Sequence, residues 1–160
     1  MPILQNEEVH YSFEEIRQNI DGIARQMAVR HVTSIDAIIA IGTGGWIPGK
    51  LLKDRLSTEE RPVPAYSLGI INYGPKKKML PHPRIYQPLP LDLNLENKTI
   101  LLVDEVADSG ISIIKALEHL QGFKPKKAYT SVLHQKEASL YCPDFVGEHV
   151  GNKWIVYPWE

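Results

Sequence analysis

The stretch Ile100-Leu-Leu-Val-Asp-Glu-Val-Ala-Asp-Ser-Gly-Ile-Ser112 sets three carboxylates and two hydroxyls immediately after a short apolar run. Asp104 and Glu105 are adjacent, so they repel each other unless a divalent cation or sugar hydroxyls share them. Asp108-Ser-Gly-Ile-Ser112 reads as the opening of a helix. Backbone amides at such a start form an anion cradle, with Gly110 allowing close approach and Ser109 and Ser112 adding hydroxyls beside Ile111. The two halves together suit a ligand with a polyhydroxyl or metal-binding face and a phosphate face, as a sugar phosphate has. Taken singly, each acid is an ordinary loop or capping residue; capping needs one acid, and this segment supplies three.

Other residues join the list of candidates. Gly42-Thr-Gly-Gly45 follows an apolar run, and glycines there let a phosphate approach the backbone. Lys136 closes the run Val132-Leu-His-Gln-Lys136, and two tryptophans and a tyrosine crowd Lys153-Trp-Ile-Val-Tyr-Pro-Trp-Glu160. Indole rings are costly to leave in water, so Trp154 and Trp159 should pack on a core or on a flat ligand. Gly44-Gly-Trp-Ile-Pro-Gly-Lys50 also has the spacing of a nucleotide-binding P-loop. Two residues count against that rival. Leu51 stands where a magnesium-binding hydroxyl is needed, and Pro48 removes an amide from a loop that works through its amides.

The elements that must position these residues follow from pattern. Ser12 and Glu15 form a capping box, after which Phe13, Ile16, Ile20, Ile23, Ala24 and Met27 recur at helical spacing. Ile35–Ile41, Val63–Ile71, Thr99–Val103 and Ala128–Leu133 read as strands, and Trp46–Leu56 and Ile111–Leu120 as helices. Residues 72–90 contain six prolines or glycines and no hydrophobic period, which predicts a long loop of the kind that serves as a lid. Residues 144–160 alternate weakly and read as short strands or an extended tail. Helices alternating with β-branched strands imply an α/β fold with a mostly parallel central sheet flanked by helices. Ligands in such sheets bind beyond the carboxyl ends of the strands. The loops at Gly42–Gly45 and Asp104–Ser112 both fall there.

Composition sets the bounds. The chain has 160 residues, 43% hydrophobic and 23% charged, with a formal net charge of −1. That balance fits one ordinary domain and offers no basic field for nucleic acid or an anionic membrane. The single cysteine, Cys142, rules out an internal disulfide and a cysteine-rich zinc site, and suits a cytoplasmic location. The acidic start Met-Pro-Ile-Leu-Gln-Asn-Glu-Glu does not read as a signal peptide, and the apolar runs are too short to span a bilayer.

Val103-Asp-Glu-Val-Ala-Asp-Ser-Gly-Ile-Ser112 resembles the phosphoribosyl-diphosphate signature of type I phosphoribosyltransferases, with Ser109 and Ser112 where threonine is usual. The aromatic tail is similar to that of xanthine–guanine and hypoxanthine–guanine members. The resemblance implies one domain over 1–160, with 72–90 as a mobile lid and 138–160 as a base-binding hood. It implies that Asp104 and Glu105 hold the ribose, directly or beside Mg²⁺. Asp108, Ser109, Gly110, Ile111 and Ser112 would take the 5-phosphate, and Asp108 would also be the general base near the purine N7. Thr43, Gly44 and Gly45 would take the diphosphate. Here Thr43 departs from the family's usual arginine or lysine, leaving more of that contact to backbone amides. Tyr73, Lys76 and Lys77 would close the lid, while Lys136, Trp154 and Ile155 would read a 6-oxopurine. The implied reaction is Mg²⁺-dependent transfer of a 5-phosphoribosyl group from phosphoribosyl diphosphate to purine N9, in purine salvage, by a homodimer or homotetramer. A regulatory protein that binds the same ligands without transfer is the alternative.

Overall fold

A computed structural model of the protein describes residues 7–160. Its elements in chain order are β1 (Glu8–His10), α1 (Phe13–Val29), β2 (Ala37–Gly42), α2 (Trp46–Leu56), β3 (Ala65–Tyr73), β4 (Met79–Gln87), β5 (Thr99–Ala107), α3 (Ile111–Gln121), β6 (Lys127–Lys136), β7 (Phe145–Val150) and β8 (Trp154–Val156). Six strands form the main sheet in the order β4-β3-β2-β5-β6-β7, and β1 pairs with β8 in a separate ribbon. All main-sheet pairs are parallel except β3–β4. The fold is the α/β arrangement expected.

The strands alternate side chains between two apolar layers. Leu101 and Val103 of β5 join Ile16, Ile20, Ile23, Met27 and Leu52 in the layer under α1 and α2. Ile100 and Leu102 join Ile113, Ala116 and Leu120 in the layer under α3. β2 is buried along its whole length, as a parallel strand covered on both faces must be. α1 starts at the expected capping box: the Glu15 amide donates to Ser12 Oγ at 3.2 Å and the Ser12 amide to Glu15 Oε2 at 2.8 Å. Farther along α1, the Gln26 side chain donates to the Val146 carbonyl and accepts from its amide, at 2.7 and 3.2 Å. A helix side chain thus satisfies backbone groups of the edge strand β7 that have no strand beside them. Among the described residues no helix is long and apolar enough to cross a membrane.

Three expectations need correction. Residues 72–90 are not a structureless loop: a 3-10 turn at Pro75–Lys77 joins β3 to β4, and the two strands pair antiparallel with irregular register. Pro81 and Pro83 misled the pattern, because β4 is an edge strand and an edge tolerates residues without an amide donor. β5 continues past Val103 to Ala107, so Asp104 and Glu105 lie in the strand, with Asp104 opposite Val132 and Val106 opposite His134. The long neighbour β6 supplies the ladder that extends it. The segment 138–160 is not one hood. β7 completes the main sheet, and only β8 leaves it, pairing Trp154, Ile155 and Val156 with Glu8, Val9 and His10.

Candidate active site

A cleft of about 640 Å³ opens at the carboxyl ends of β5 and β6, bounded by the end of β3, the start of α3 and the strand β8. Asp104, Glu105, Asp108, Ser109, Gly110 and Ser112 line one side, and Lys136, Trp154, Ile155 and Tyr157 the other. A recess of about 270 Å³, lined by Thr43, Gly44, Asn72 and Tyr73, adjoins it and shares Asp104, Glu105 and Ser112. Most of the candidates scattered over the sequence therefore converge on this cleft and recess.

The acidic pair is poorly satisfied by protein alone. Asp104 is buried, and burial, reinforced by the neighbouring Glu105, raises its carboxyl well above the ordinary range. One oxygen of Asp104 accepts the Glu105 amide at 2.9 Å. Glu105 Oε2 is buried with no hydrogen-bond partner among the described residues. The Glu105 carboxylate lies against Gly44, where an added Cβ would come within 2.0 Å of Oε2. Among the described residues no group of three or more histidines, cysteines or acids is gathered to hold a metal ion. Two crowded carboxylates with an unpaired oxygen fit a Mg²⁺ ion that takes its remaining ligands from water and a bound substrate.

The candidate anion cradle rests on a backbone conformation. Gly110 has φ 81° and a Cβ there would lie 2.8 Å from the Tyr141 amide nitrogen, so only glycine fits. The helix begins at Ile111, whose amide faces Ser109 Oγ at 3.4 Å. The Leu140 amide donates to the Ser109 carbonyl at 2.9 Å and braces the turn from outside. Asn72 donates to Ser112 Oγ at 2.5 Å, tying the end of β3 to the cradle.

The opposite side holds the base-reading candidates. Lys136 Nζ lies 3.3 Å from Asp108 Oδ2 and 5.8 Å from the Trp154 ring centre. Trp154 is 51% exposed, with Ile155 buried beside it. Trp159 instead stacks on Tyr157 at 4.6 Å and fastens the chain end.

Residues 11–159 match the family model described as the phosphoribosyl transferase domain. The chain belongs to the phosphoribosyltransferase family. Xanthine phosphoribosyltransferase 1 of Saccharomyces cerevisiae is 23% identical, over 98% of this chain and 91% of its own. Bifunctional protein PyrR of Haemophilus ducreyi is 26% identical, over 90% and 83%. The crystal structure of purine phosphoribosyltransferase from Pyrococcus horikoshii Ot3 superposes with a TM-score of 0.80 at 25% identity, covering 96% of this chain and 94% of the other. The chain is thus a type I phosphoribosyltransferase related to the purine-using members.

Some expected residues of this phosphoribosyltransferase sit elsewhere. Gly45 spends its amide on the Ile41 carbonyl at 2.8 Å, and an added Cβ would meet Ile41 and Val103 carbonyl oxygens at 2.6 Å. Its part is to let the turn close, which leaves Thr43 and Gly44 facing the recess. Tyr73 reaches the cleft, but Lys76 does not line it; the side chain of Lys77 lies outside the described residues. Lys50 is exposed and paired with Asp54 one turn on, so the P-loop reading loses its phosphate-binding lysine. Three contributors went unforeseen. Asn72 and Tyr157 line the cleft, and β1 pairs with the tryptophan strand. Only Tyr157 carried a sequence signal, as an aromatic with a polar tip in an aromatic tail.

Proposed function

We propose that this phosphoribosyltransferase moves the 5-phosphoribosyl group of phosphoribosyl diphosphate to N9 of a 6-oxopurine, with Mg²⁺, as a purine-salvage enzyme of the cytoplasm. The observation that supports the reading is the closeness of Lys136 to both Asp108 and Trp154 in the cleft that the Asp104–Glu105 pair also lines. A proton acceptor, a hydrogen-bond donor and a flat apolar surface match the N7, the 6-oxo group and the face of a purine.

In this reading the cradle from Ser109 to Ser112 holds the 5-phosphate, and Asp104 and Glu105 orient the ribose. The bond from C1 of the sugar to diphosphate breaks as N9 bonds to C1, and the proton lost from N7 passes to the Asp108 carboxylate. Asp104 and Glu105 would also hold Mg²⁺, which would supply positive charge to the leaving diphosphate. Trp154 stacks on the base, Lys136 donates to its 6-oxo oxygen, and the backbone beside Ile155 reads its edge. A 6-amino group offers Lys136 no acceptor, and mismatched buried polar groups discriminate strongly. Tyr73, which lines the cleft, would help exclude water from an oxocarbenium-like transition state. By the same reading the protein works as a homodimer or homotetramer.

A second reading keeps the ligands and drops the transfer: a regulatory protein of the same fold. It is favoured by Thr43, an exposed hydroxyl where a cation is usual, and by the relationship to a protein named as bifunctional. Assays with hypoxanthine, guanine, xanthine and adenine, each with phosphoribosyl diphosphate and Mg²⁺, separate the two. Nucleotide formed from a 6-oxopurine and not from adenine supports the transferase; tight ligand binding without product supports the regulator.

A further inference from the structure

The strand that carries Trp154 and Ile155 is held by little of its own. β8 is three residues long and among the described residues pairs only with β1, also three residues long, and a two-stranded ribbon is marginal in water. Additional anchorage comes from Tyr157, the next residue after the strand. Its ring stacks on Trp159, and its hydroxyl meets two other elements. It donates to the Glu105 carbonyl on β5 at 3.1 Å, and it lies 3.0 Å from His134 Nδ1 on β6. His134 is wholly buried, and its Nε2 lies 3.1 Å from Asn19 Nδ2 on α1.

The directions of these bonds follow from donor counting. The Asn19 amide nitrogen only donates, so His134 Nε2 accepts. The imidazole proton then sits on Nδ1 and is donated to the Tyr157 oxygen. The phenolic proton remains for the Glu105 carbonyl. Each bond has one sense, and Asn19, His134 and Tyr157 are not among the described residues with a buried unpartnered side-chain atom, which is the condition for a rigid polar network.

We propose that the buried chain Asn19–His134–Tyr157 positions the base-reading strand against the acidic end of β5, making Tyr157 and His134 positioning residues for base affinity. The inference rests on the reading of Trp154 and Ile155 as the base subsite. Its physical content is a distance constraint. The Glu105 backbone belongs to the ribose side of the cleft, and Tyr157 belongs to the strand of the base side. A hydroxyl bonded to both sides' supports fixes how far apart they stand. A nucleotide spans both subsites and senses that spacing; a bare sugar phosphate does not.

The test is calorimetric titration of the full chain with inosine, guanosine and xanthosine 5′-monophosphates and, separately, with ribose 5-phosphate. Tyr157→Phe keeps the ring and removes only the hydroxyl. The expected result is about tenfold weaker binding of the nucleotide that the unaltered chain binds most tightly, the scale of one or two lost hydrogen bonds. Ribose 5-phosphate affinity should change by less than about twofold, since the cradle itself is untouched. Asn19→Ala, on α1 and outside the cleft, should move nucleotide affinity in the same direction by a smaller factor. It keeps the test open should Tyr157→Phe fold poorly. Nucleotide affinity unchanged in both variants, or equal losses for nucleotide and ribose 5-phosphate, overturns the proposal. Trp154→Ala separates the layers. If it weakens the nucleotide while Tyr157→Phe does not, only the positioning role fails. If it leaves the nucleotide unaffected, or if no nucleotide binds the unaltered chain, the base-subsite reading fails as well.

Discussion

Lys136 Nζ stands 3.3 Å from Asp108 Oδ2, and the two side chains differ sharply in exposure, 11% for the lysine and 54% for the acid. The ammonium is fixed at the end of β6, while the carboxylate reaches the open cleft from the turn before α3. An incoming base would meet both groups together. Their pairing explains how a lysine is tolerated at a nearly buried position, since a buried charge requires a partner.

The Asp108 carboxylate is expected to matter more to transfer than to sugar binding. Asp108→Asn preserves shape and removes the proton acceptor. The turnover number should fall by roughly 10²-fold or more, the usual scale of a general base. The affinity for phosphoribosyl diphosphate should change far less. Steady-state kinetics with titration of the diphosphate sugar measure both; a variant with undiminished turnover removes Asp108 from the proton-transfer role.

Asp104 should show a trade between stability and function. Burial and the adjacent Glu105 raise its carboxyl well above the normal range, so at neutral pH the charged form costs folding energy. Asp104→Asn removes that cost. The melting temperature of the ligand-free protein should rise, by roughly 2–4 °C for each ~1 kcal/mol recovered at this chain length. Transfer activity should fall. A lower melting temperature in calorimetry contradicts this account of the acidic pair.

Gly110→Ala tests the cradle. Its φ of 81° disfavours any side chain, and the new Cβ would press on the Tyr141 backbone at 2.8 Å. The strain alone is about 1–2 kcal/mol, and the contact adds to it. Denaturant unfolding should report at least that loss. Ribose 5-phosphate should bind more weakly, because the turn that aims the amides is displaced. Retained ribose 5-phosphate affinity would mean that the 5-phosphate sits elsewhere.

The pH dependence of stability should carry the signature of His134. Burial lowers its pKa from 6.5 to about 4. It is surrounded by Tyr11, Tyr157 and Asn19, with Glu148 opposite it on β7. Between those two pH values the unfolded chain binds a proton that the folded chain refuses. Stability from this group is therefore complete above pH 6.5 and is lost as pH falls toward 4, by roughly 3 kcal/mol in all. Replacing the imidazole in His134→Gln should flatten that part of the profile. Urea unfolding midpoints between pH 4 and 7 provide the measurement, and identical profiles for the two proteins would falsify the assignment.

The sequence alone determined the parts whose signals are local. The capping box of α1, the apolar run of β2 and the order of helices and strands are written in neighbouring residues. So is the gathering of acids, glycine and hydroxyls in 104–112, because residues of one short segment stay together wherever the segment lies, here along one cleft. The prolines of β4 were legible too, but their meaning was not: the same residues break an inner strand and are harmless at an edge. Edge position is a property of the assembled sheet.

Only the tertiary structure decided which distant residues share the cleft. Lys136 is an ordinary lysine until the β5–β6 register brings it beside Asp108. Trp154 is an aromatic of unknown facing until β1, from the other end of the chain, holds its strand over that pair. His134 reads as one more polar residue in a strand, yet it is buried and bonded on both nitrogens by partners 115 positions back and 23 positions ahead. Periodicity reports a residue's neighbours along the chain. Pairing across a sheet and hydrogen bonds within a core depend on where the chain returns, and that is fixed only when the whole chain has packed.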